Sequence, residues 1–287
     1  MILQTKNLTY TYNPNAPFEK TAISDISIGV EKGEFVGIIG HTGSGKSTLV
    51  QMCNGLIKPT SGKIFINGED IWEKPKEIRK YHFMVGLVFQ YPEHQLFMNT
   101  VYNDIAFGPK NKGMTETQIH DAVMRSAEFV ELKPTLLDKS PFELSGGEKR
   151  RAAIAGVLAM EPEVLILDEP TAGLDPYGRD TILSSIKNFQ KRSGTTVLLV
   201  SHSMEDIAKL ASKVLVLDHG KEHLYDTTQN VFAQSDKLES SGLAVPQITK
   251  IFMALKQKGY NVNTNIFSVQ DGVNELLKLR KGGDPHA

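Results

Sequence analysis

The 287-residue chain is predicted to fold as an α/β protein with a largely parallel central sheet. Short runs such as Val164–Leu167 and Thr196–Val200 are apolar throughout instead of alternating with polar residues. This pattern is typical of strands buried on both faces of a parallel sheet. Helical patterns alternate with these runs and begin after Gly45, Ser145, Pro176 and Ser203. The alternation of the two patterns indicates an α/β core.

The first eighty residues or so are predicted to add an antiparallel portion to this core. Its candidate strands are Ile2–Leu8, Ala22–Val30 and Gly62–Asn67. The remaining candidate strands of the core are Phe35–Ile39, Val85–Phe89 and Val214–Leu217. This core and its antiparallel portion are expected to belong to one large domain that spans residues 1–222.

Two other segments have a different character. Residues 91–161 are mainly helical in pattern, for example over Thr115–Leu132, and are predicted to form a helical subdomain inserted into the core. Residues 223–287 are predicted to form a small C-terminal domain with apolar residues at helical spacing, a second helix over Val269–Arg280 and a frayed end at 282–285. Two interpretations of this domain stay open, a satellite packed on the core and a dimer contact.

Composition excludes several classes of function. The 32 basic and 33 acidic side chains give a net charge of -1, so no global positive field is available to hold nucleic acid, and only a local basic patch stays open. The single cysteine, Cys53, excludes an internal disulfide and a cysteine-based zinc site. The apolar runs are far shorter than the ~20 residues of a membrane span. We therefore expect a chain that does not cross a membrane itself.

The residues from Gly40 to Ser47 match the phosphate-loop pattern G-x-x-x-x-G-K-[S/T] between a predicted strand and a predicted helix. The glycines allow successive backbone N–H groups to point inward at phosphate oxygens, and the helix adds the positive end of its dipole. Lys46 is predicted to contact the β- and γ-phosphates and Ser47 to bind Mg²⁺. The predicted ATP-binding residues here are Gly40, His41, Thr42, Gly43, Ser44, Gly45, Lys46, Ser47 and Thr48.

Two carboxylates follow the apolar strand that ends at Leu167. Asp168 is predicted to hold Mg²⁺, and Glu169 to act as the general base for the water that attacks the γ-phosphate. An acidic pair after a strand is, taken alone, more often a solvated strand end. Its combination with a phosphate loop favours the catalytic interpretation.

A third motif, Leu144-Ser145-Gly146-Gly147-Glu148, opens a helix with Ser145 as its N-cap. This motif, between a phosphate loop and an Asp-Glu strand, resembles the signature of ABC-type ATPases, which have a P-loop NTPase fold. The resemblance covers roughly Leu3 to Lys221. It implies a head-to-tail dimer in which Ser145 and Gly147 of one subunit face the ATP held by the other. The family commonly has Gln at the fourth signature position, where this chain has Glu148.

The same resemblance assigns four further positions. Gln90 matches the glutamine that touches Mg²⁺ and senses the transport partner, and Asp175 matches the residue that reaches across the dimer. His202 matches the histidine that contacts the γ-phosphate. Tyr12 matches the aromatic residue that stacks on adenine, with Tyr10 as the alternative.

Further stretches resemble the ATPases of energy-coupling factor transporters, closest to the second of that family's two paired ATPase subunits. They include Phe89–Phe97, Phe107-Gly108-Pro109 and Ser201–Asp206. In that family the segment after Gln90 forms a groove for a helix of the transmembrane subunit. The residues expected to couple to this partner are Pro92, Glu93, Gln95, Leu96 and Phe97.

The resemblance implies an ATPase that uses ATP and Mg²⁺ to power uptake of a vitamin or other micronutrient, peripheral to the cell membrane on its cytoplasmic side. The implied partners are a second, similar ATPase (a heterodimer, with a homodimer left open), a transmembrane coupling subunit and a membrane substrate-binding subunit, without nucleic acid.

Two alternatives are an ABC ATPase acting on DNA or the ribosome, and a nucleotide sensor without hydrolysis. The first usually has a long coiled coil or two ATPase domains, and neither is seen here. The second is disfavoured by the joint presence of Lys46, Asp168, Glu169 and His202.

Overall fold

A computed structural model describes residues 1–243 and 245–281 of the chain, which form two β-sheets and surrounding helices. The strands in this part are β1 (Leu3–Tyr12), β2 (Lys20–Ile26), β3 (Gly29–Val30), β4 (Phe35–Gly40), β5 (Ser61–Ile66), β6 (Glu69–Asp70), β7 (Val85–Val88), β8 (Val164–Asp168), β9 (Thr196–Val200), β10 (Lys213–Asp218) and β11 (Lys221–Thr227). The helices are α1 (Lys46–Cys53), α2 (Ile78–Met84), α3 (Val101–Lys112), α4 (Glu116–Phe129), α5 (Gly146–Leu158), α6 (Pro176–Ser193), α7 (Met204–Leu210), α8 (Thr228–Phe232), α9 (Ser235–Ser240), α10 (Gln247–Gln257) and α11 (Val269–Lys281).

The larger sheet has the strand order β11-β10-β4-β9-β8-β7 and confirms the predicted parallel core. Every neighbouring pair is parallel except β10 with β11. Alternate residues of each strand enter different hydrophobic cores, so that Leu165 and Leu167 face one core while Val164 and Ile166 face the other. Burial on both faces explains why these strands are apolar throughout.

The smaller sheet, β2-β1-β5-β6 with β3 beside β1, is antiparallel as predicted. Its boundaries differ from the prediction in two places. The predicted strand Ala22–Val30 is two strands, β2 and β3, which pair with different parts of β1. Strand β1 continues beyond Leu8 to Tyr12 because its second half pairs with β2. Helix α1 packs its apolar residues into the core that the two sheets share.

Residues 91–161 contain α3, α4 and α5 together with short 3₁₀ turns, and the structure describes no strand in this range. The predicted helix over Thr115–Leu132 is α4, and it begins with a capping box formed by Thr115 and Gln118. Apolar residues of these helices join the core on the side of the large sheet opposite α1, for example Ile105, Val123 and Ile154.

The C-terminal segment does not separate from the core at residue 222. That predicted boundary falls inside β11, which pairs with β10 as far as Thr227. Beyond β11, Phe232 and Val245 are buried in the main hydrophobic core, whereas Phe252 belongs to a small cluster between α10 and α11. The first part of the segment is thus packed on the core, and the division of the chain into domains stays a prediction. The predicted fraying of 282–285 lies outside the described residues.

Within 1–243 and 245–281, no helix combines the length and the apolar character that crossing a membrane requires.

Candidate active site

The phosphate loop connects β4 to α1 and closes around the amine of its own lysine. Lys46 Nζ donates to the carbonyl oxygens of Gly40 at 2.8 Å and His41 at 3.0 Å. Gly45 has a φ of +100°, and a Cβ there would lie 2.5 Å from the carbonyl oxygen of Ala22, so only glycine fits. Burial lowers the pKa of Lys46, and this effect is opposed by the charges of Glu169 and Asp168. The loop therefore presents a cation that its own carbonyl oxygens hold in place.

An open cleft of about 640 Å³ lies along this loop, at the carboxyl ends of the parallel strands. Ligand sites of open α/β sheets occur at this edge. The cleft brings together these predicted site residues: Tyr12, Thr42, Gly43, Gly45, Lys46, Ser47, Thr48, Gln90, Asp168, Glu169 and His202. It does not include Gly40, His41 or Ser44, although all three lie in the phosphate loop. The Ser44 hydroxyl is buried without a hydrogen-bond partner, and the His41 imidazole contacts Asp218 instead.

The two carboxylates at the end of β8 have different environments. Asp168 is 5% exposed, and burial raises its pKa against the opposing effects of the Ser47 hydroxyl and the Lys46 charge. Glu169 has a backbone φ of 52° and donates its N–H to the Val200 carbonyl at 3.1 Å. Burial raises the pKa of Glu169 to about 7, with the backbone of His202 and the Lys46 charge acting in the opposite direction. A carboxyl group with this pKa can exchange a proton near neutral pH.

The side chain of His202 stands next to Glu169, after β9. Its Nε2 lies 3.3 Å from Glu169 Oε1, but this oxygen is buried and makes no hydrogen bond, so the two groups are close without being bonded. Burial and the Lys46 charge lower the pKa of His202, and Asp168 opposes them. A neutral imidazole beside a buried carboxyl group is thus the resting arrangement at neutral pH.

Part of the cleft is lined by aromatic and basic side chains from β1, β2 and the loop between them. Tyr12 is 38% exposed and its hydroxyl lies 3.1 Å from Thr48 Oγ1, whereas Tyr10 packs on the core and meets Tyr12 edge-on. This placement favours Tyr12 over Tyr10 as the stacking ring. Phe18 and Lys20 also line the cleft and were not predicted. Lys20 is the cross-strand partner of Tyr12, a register that no local motif reveals.

The signature motif lies apart from this cleft, at the start of α5. Ser145 and Glu148 form a capping box: the Ser145 backbone N–H and hydroxyl donate to the Glu148 carboxylate at 2.9 and 2.7 Å, and the Glu148 N–H donates to the Ser145 hydroxyl at 3.4 Å. The Ser145 bonds lower the pKa of Glu148. The residue that departs from the family pattern is therefore bound within its own helix start. The spacing Ser-x-x-Glu is the sequence signal for this arrangement.

Asp175 is likewise a helix cap and does not line the cleft. Its Oδ1 accepts the Gly178 N–H at 2.7 Å at the start of α6. Ser145, Gly147 and Asp175 are thus placed away from the phosphate loop of their own chain, and their predicted role toward ATP stays a prediction.

The segment after Gln90 forms a 3₁₀ turn, Pro92–Gln95. The side chain of Glu93, one of the predicted coupling residues, points inward from this turn. Glu93 accepts two hydrogen bonds from Arg150 of α5, at 2.9 Å from Nε and 2.6 Å from Nη2. Its carboxylate therefore faces the protein interior and is not on the outer surface that a partner would meet. Pro92 is also buried, and Leu96 packs against the core, whereas Phe97 is 60% exposed.

Arg150 was not predicted as a functional residue, although it connects three segments. Besides Glu93, its Nη1 donates to the carbonyl oxygens of Ala172 at 2.6 Å and Pro170 at 3.4 Å, just after Glu169. The guanidinium is 3% exposed. Its position in the sequence could have indicated this role. Arg150 is four residues before the apolar Ile154 and therefore lies on the same, buried face of α5.

Comparison with known proteins identifies the family. Residues 23–172 match the model described as ABC transporter. The chain is 54% identical over 280 residues to the energy-coupling factor transporter ATP-binding protein EcfA2 of Clostridium tetani, covering 97% of both chains. The chain belongs to the ATP-binding proteins of energy-coupling factor transporters. A more distant member, EcfA2 of Bacillus thuringiensis, is 44% identical over 287 residues and covers 99% of this chain and 98% of its own. The predicted resemblance is thus confirmed.

Solved structures agree with the fold of this family. The structure of cbiO1 from Clostridium perfringens, described as part of the ABC transporter complex cbiONQ, has a TM-score of 0.74 and 36% identity, covering 90% of this chain and 97% of its own. A dimeric ATP-binding cassette in a post-hydrolysis state with bound ADP and Pi has a TM-score of 0.71 and 27% identity, covering 79% and 98%. The predicted P-loop NTPase fold of the ABC type is confirmed.

Proposed function

We propose that the chain hydrolyses ATP to drive uptake of a vitamin or other micronutrient, as a peripheral subunit on the cytoplasmic side of the cell membrane. The observation that carries this proposal is the cleft in which the phosphate loop, Asp168, Glu169 and His202 meet. Membership of the energy-coupling factor family supports the link to transport. The ATPase would not touch the transported compound, so its residues leave the choice of micronutrient open.

Each group in the cleft has a chemical role in this proposal. The loop N–H groups and Lys46 hold the β- and γ-phosphates, and Tyr12 stacks on adenine. Water attacks the γ-phosphorus, its proton passes to the Glu169 carboxylate, and the bond to the β-γ bridging oxygen breaks to leave ADP and phosphate. In this proposal His202 donates a hydrogen bond to the γ-phosphate. The raised pKa of Glu169, about 7, suits a base that works near neutral pH.

The donor atoms around the phosphate loop also fit a magnesium ion. The Ser47 hydroxyl, the Gln90 amide oxygen and the Asp168 carboxylate line the same cleft and are the oxygen ligands that Mg²⁺ prefers. When bound with ATP, the ion would neutralise charge on the phosphates. Asp168 is only 5% exposed, and a buried carboxylate is stabilised by a nearby cation. A magnesium ion would supply this positive charge in addition to that of Lys46.

The cleft is proposed to be half of a composite site. Ser145, Gly147 and Asp175 lie outside the cleft of their own chain but at helix starts, where backbone N–H groups and the helix dipole favour anions. A second ATPase subunit in head-to-tail orientation would place its own signature against the γ-phosphate held here. The dimeric cassette with bound ADP and Pi, similar in fold to this chain, supports such an arrangement.

The partners proposed for the chain are a second ATPase of the same family, a transmembrane coupling subunit and a membrane substrate-binding subunit. A heterodimer of ATPases is favoured, and a homodimer is compatible with the same site. The C-terminal helices supply a second contact in this proposal, because Ile251, Val273, Leu276 and Leu277 are each 44–53% exposed there. Exposed apolar side chains of this kind are typical of interaction surfaces.

The segment after Gln90 offers the surface for the transmembrane subunit. Phe97 is 60% exposed and Phe107 of α3 43% exposed, and the two rings meet edge-on with centroids 5.1 Å apart. The buried Asp104 holds the turn by accepting the N–H groups of Phe97 and Met98, each at 3.1 Å. The exposed aromatic pair therefore stands on a rigid base, which suits docking of an apolar helix.

Replacing Phe97 by Asp is expected to lower the amount of membrane protein that co-purifies with the chain at least ~10-fold, because a charge would have to be buried in the interface. The measurement is affinity purification from solubilised membranes with identification of the co-purifying chains. Leu56→Asp is the control. Leu56 is also an exposed apolar residue, at 51%, but it follows α1 and is not part of the segment after Gln90. ATP binding should be unchanged in both variants. Undiminished co-purification by the Phe97 variant would disprove the docking surface, and capture of no membrane-embedded chain by the wild type would disprove the proposed function.

A further inference from the structure

The phosphate-loop residue His41 belongs to a cluster outside the ATP cleft. Its Nε2 lies 3.2 Å from Asp218 Oδ1 at the end of β10, and the same oxygen lies 3.8 Å from Nε2 of His219. One ligand atom from each of the three residues falls within 4.8 Å of the others. His41 and Asp218 are partly buried, with side chains 30% and 28% exposed.

The hydrogen bonds of His41 leave one of its nitrogens facing an acceptor. Nδ1 lies 2.8 Å from the Thr42 carbonyl oxygen, which accepts and cannot donate, so this nitrogen carries the ring proton. In the neutral ring Nε2 then directs a lone pair at the Asp218 carboxylate. Within residues 1–243 and 245–281, the hydrogen bond that reaches Nε2 comes from the His219 backbone N–H, at a long 3.5 Å. A cation at Nε2, either a proton or a metal ion shared with the carboxylate, makes this 3.2 Å contact attractive.

We propose that His41, Asp218 and His219 form a binding site for a divalent transition-metal ion, for which Zn²⁺ is the probe. Zinc bonds of 2.0–2.2 Å to nitrogen and oxygen in a tetrahedron separate the ligand atoms by roughly 3.3–3.5 Å. The observed 3.2 and 3.8 Å are close to this separation. The His219 side chain is 85% exposed, and its ring lies against that of His41 with centroids 4.7 Å apart, so a small rotation of the side chain would complete the geometry. The Thr42 carbonyl would orient the His41 ring, as backbone carbonyls commonly do for metal-binding histidines.

This site differs from the proposed magnesium site in both chemistry and position. Two imidazoles and one carboxylate suit borderline transition metals, whereas the cleft offers oxygen ligands for Mg²⁺. The His41 imidazole does not line the cleft, so both sites can be filled at once. The turn after β10 is already tied to the phosphate loop, since the Gly220 N–H donates to the Ser44 carbonyl at 3.1 Å. A bound ion would reinforce this connection and restrain the loop from outside.

The test is titration of the purified, metal-stripped and tag-free chain with Zn²⁺ in competition with a chromophoric chelator. His219→Asn removes one ligand while retaining a residue type that tolerates the φ of 45° at this position. Asp218→Asn removes the carboxylate charge. His223→Asn on β11 is the control, because His223 is exposed and lies outside the cluster. ATP binding by each variant serves as the check on folding.

We expect the wild type and the His223 variant to bind one Zn²⁺ per chain, and the His219 and Asp218 variants to bind it at least ~10-fold more weakly. Co²⁺ should give the intense visible absorption of a four-coordinate site in the wild type and lose it in the His219 variant. Equal affinities for the wild type and the His219 variant would overturn the proposal. So would the absence of any binding by the wild type that exceeds that of the Asp218 variant.

Discussion

Replacing Glu169 by Gln is expected to lower ATP hydrolysis by ~10²–10⁴-fold while ATP binding is retained. The carboxylate is proposed to take the proton of the attacking water, and an amide of the same shape cannot accept it. The contacts proposed to hold ATP come from the phosphate loop, where the hydrogen bonds that position Lys46 do not involve Glu169. Binding and chemistry should therefore separate in this variant.

The measurement is phosphate release by the purified transporter at saturating ATP, alongside equilibrium binding of ATP to the variant chain. Glu163→Gln is the matched control, since Glu163 directly precedes β8 but is exposed and outside the cleft. Its hydrolysis should equal that of the wild type. Near-normal turnover by the Glu169 variant would remove this residue from the mechanism.

Replacing Arg150 by Met is expected to destabilise the chain by about 3 kcal/mol, because the Glu93 carboxylate, only 15% exposed, loses its charge partner. Burial by itself would raise the pKa of Glu93. The hydrogen bonds and charge of Arg150, together with a backbone hydrogen bond and the charge of His94, outweigh burial and keep this pKa below its ordinary value. The carbonyl oxygens of Ala172 and Pro170 also lose their donor. The methylene stem of Met fills part of the space, so the loss is mainly electrostatic.

The measurement is the midpoint of urea unfolding, compared with that of Arg125→Met. Arg125 pairs with Glu161 on the same side of the molecule, but their side chains are 56% and 52% exposed, and such pairs contribute about 0–1 kcal/mol. The double variant Arg150→Met with Glu93→Gln should recover part of the loss, since no buried charge then stays unpaired. Similar midpoints for the Arg150 and Arg125 variants would show that the buried pair is not the structural link described here.

The parts of the fold that could be predicted are those with a local sequence signal. Strands β4, β8 and β9 are apolar on both faces and are recognisable without knowledge of their neighbours. Strand β11, with the sequence KEHLYDT, was missed because it is an edge strand that is only half-buried. Its pairing with β10 is a property of the assembled sheet, which explains why a domain boundary was predicted inside it.

The parts of the candidate site that could be predicted are likewise those with a local sequence signal. The phosphate loop and the Asp168-Glu169 pair are contiguous motifs, and the topology of the sheet places them at one edge. Contacts between residues distant in sequence were not predictable, as with Arg150 and Glu93, which are separated by 57 positions. The direction of a side chain was not predictable either. His41 lies in the predicted loop, but its imidazole points to Asp218 and away from the cleft.

The central claim is that the cleft of this chain is completed by the signature motif of a partner subunit. The most direct measurement is light-induced cleavage of the purified transporter trapped with MgATP and vanadate, in which vanadate takes the place of the γ-phosphate and cuts adjacent backbone. We predict cleavage of this chain both within Gly40–Ser47 and at Ser145–Gly147, with cleavage in the loop alone for the diluted, isolated chain. Cleavage confined to the loop in the assembled transporter, or cleavage at Ser145 in the isolated chain, would contradict the account.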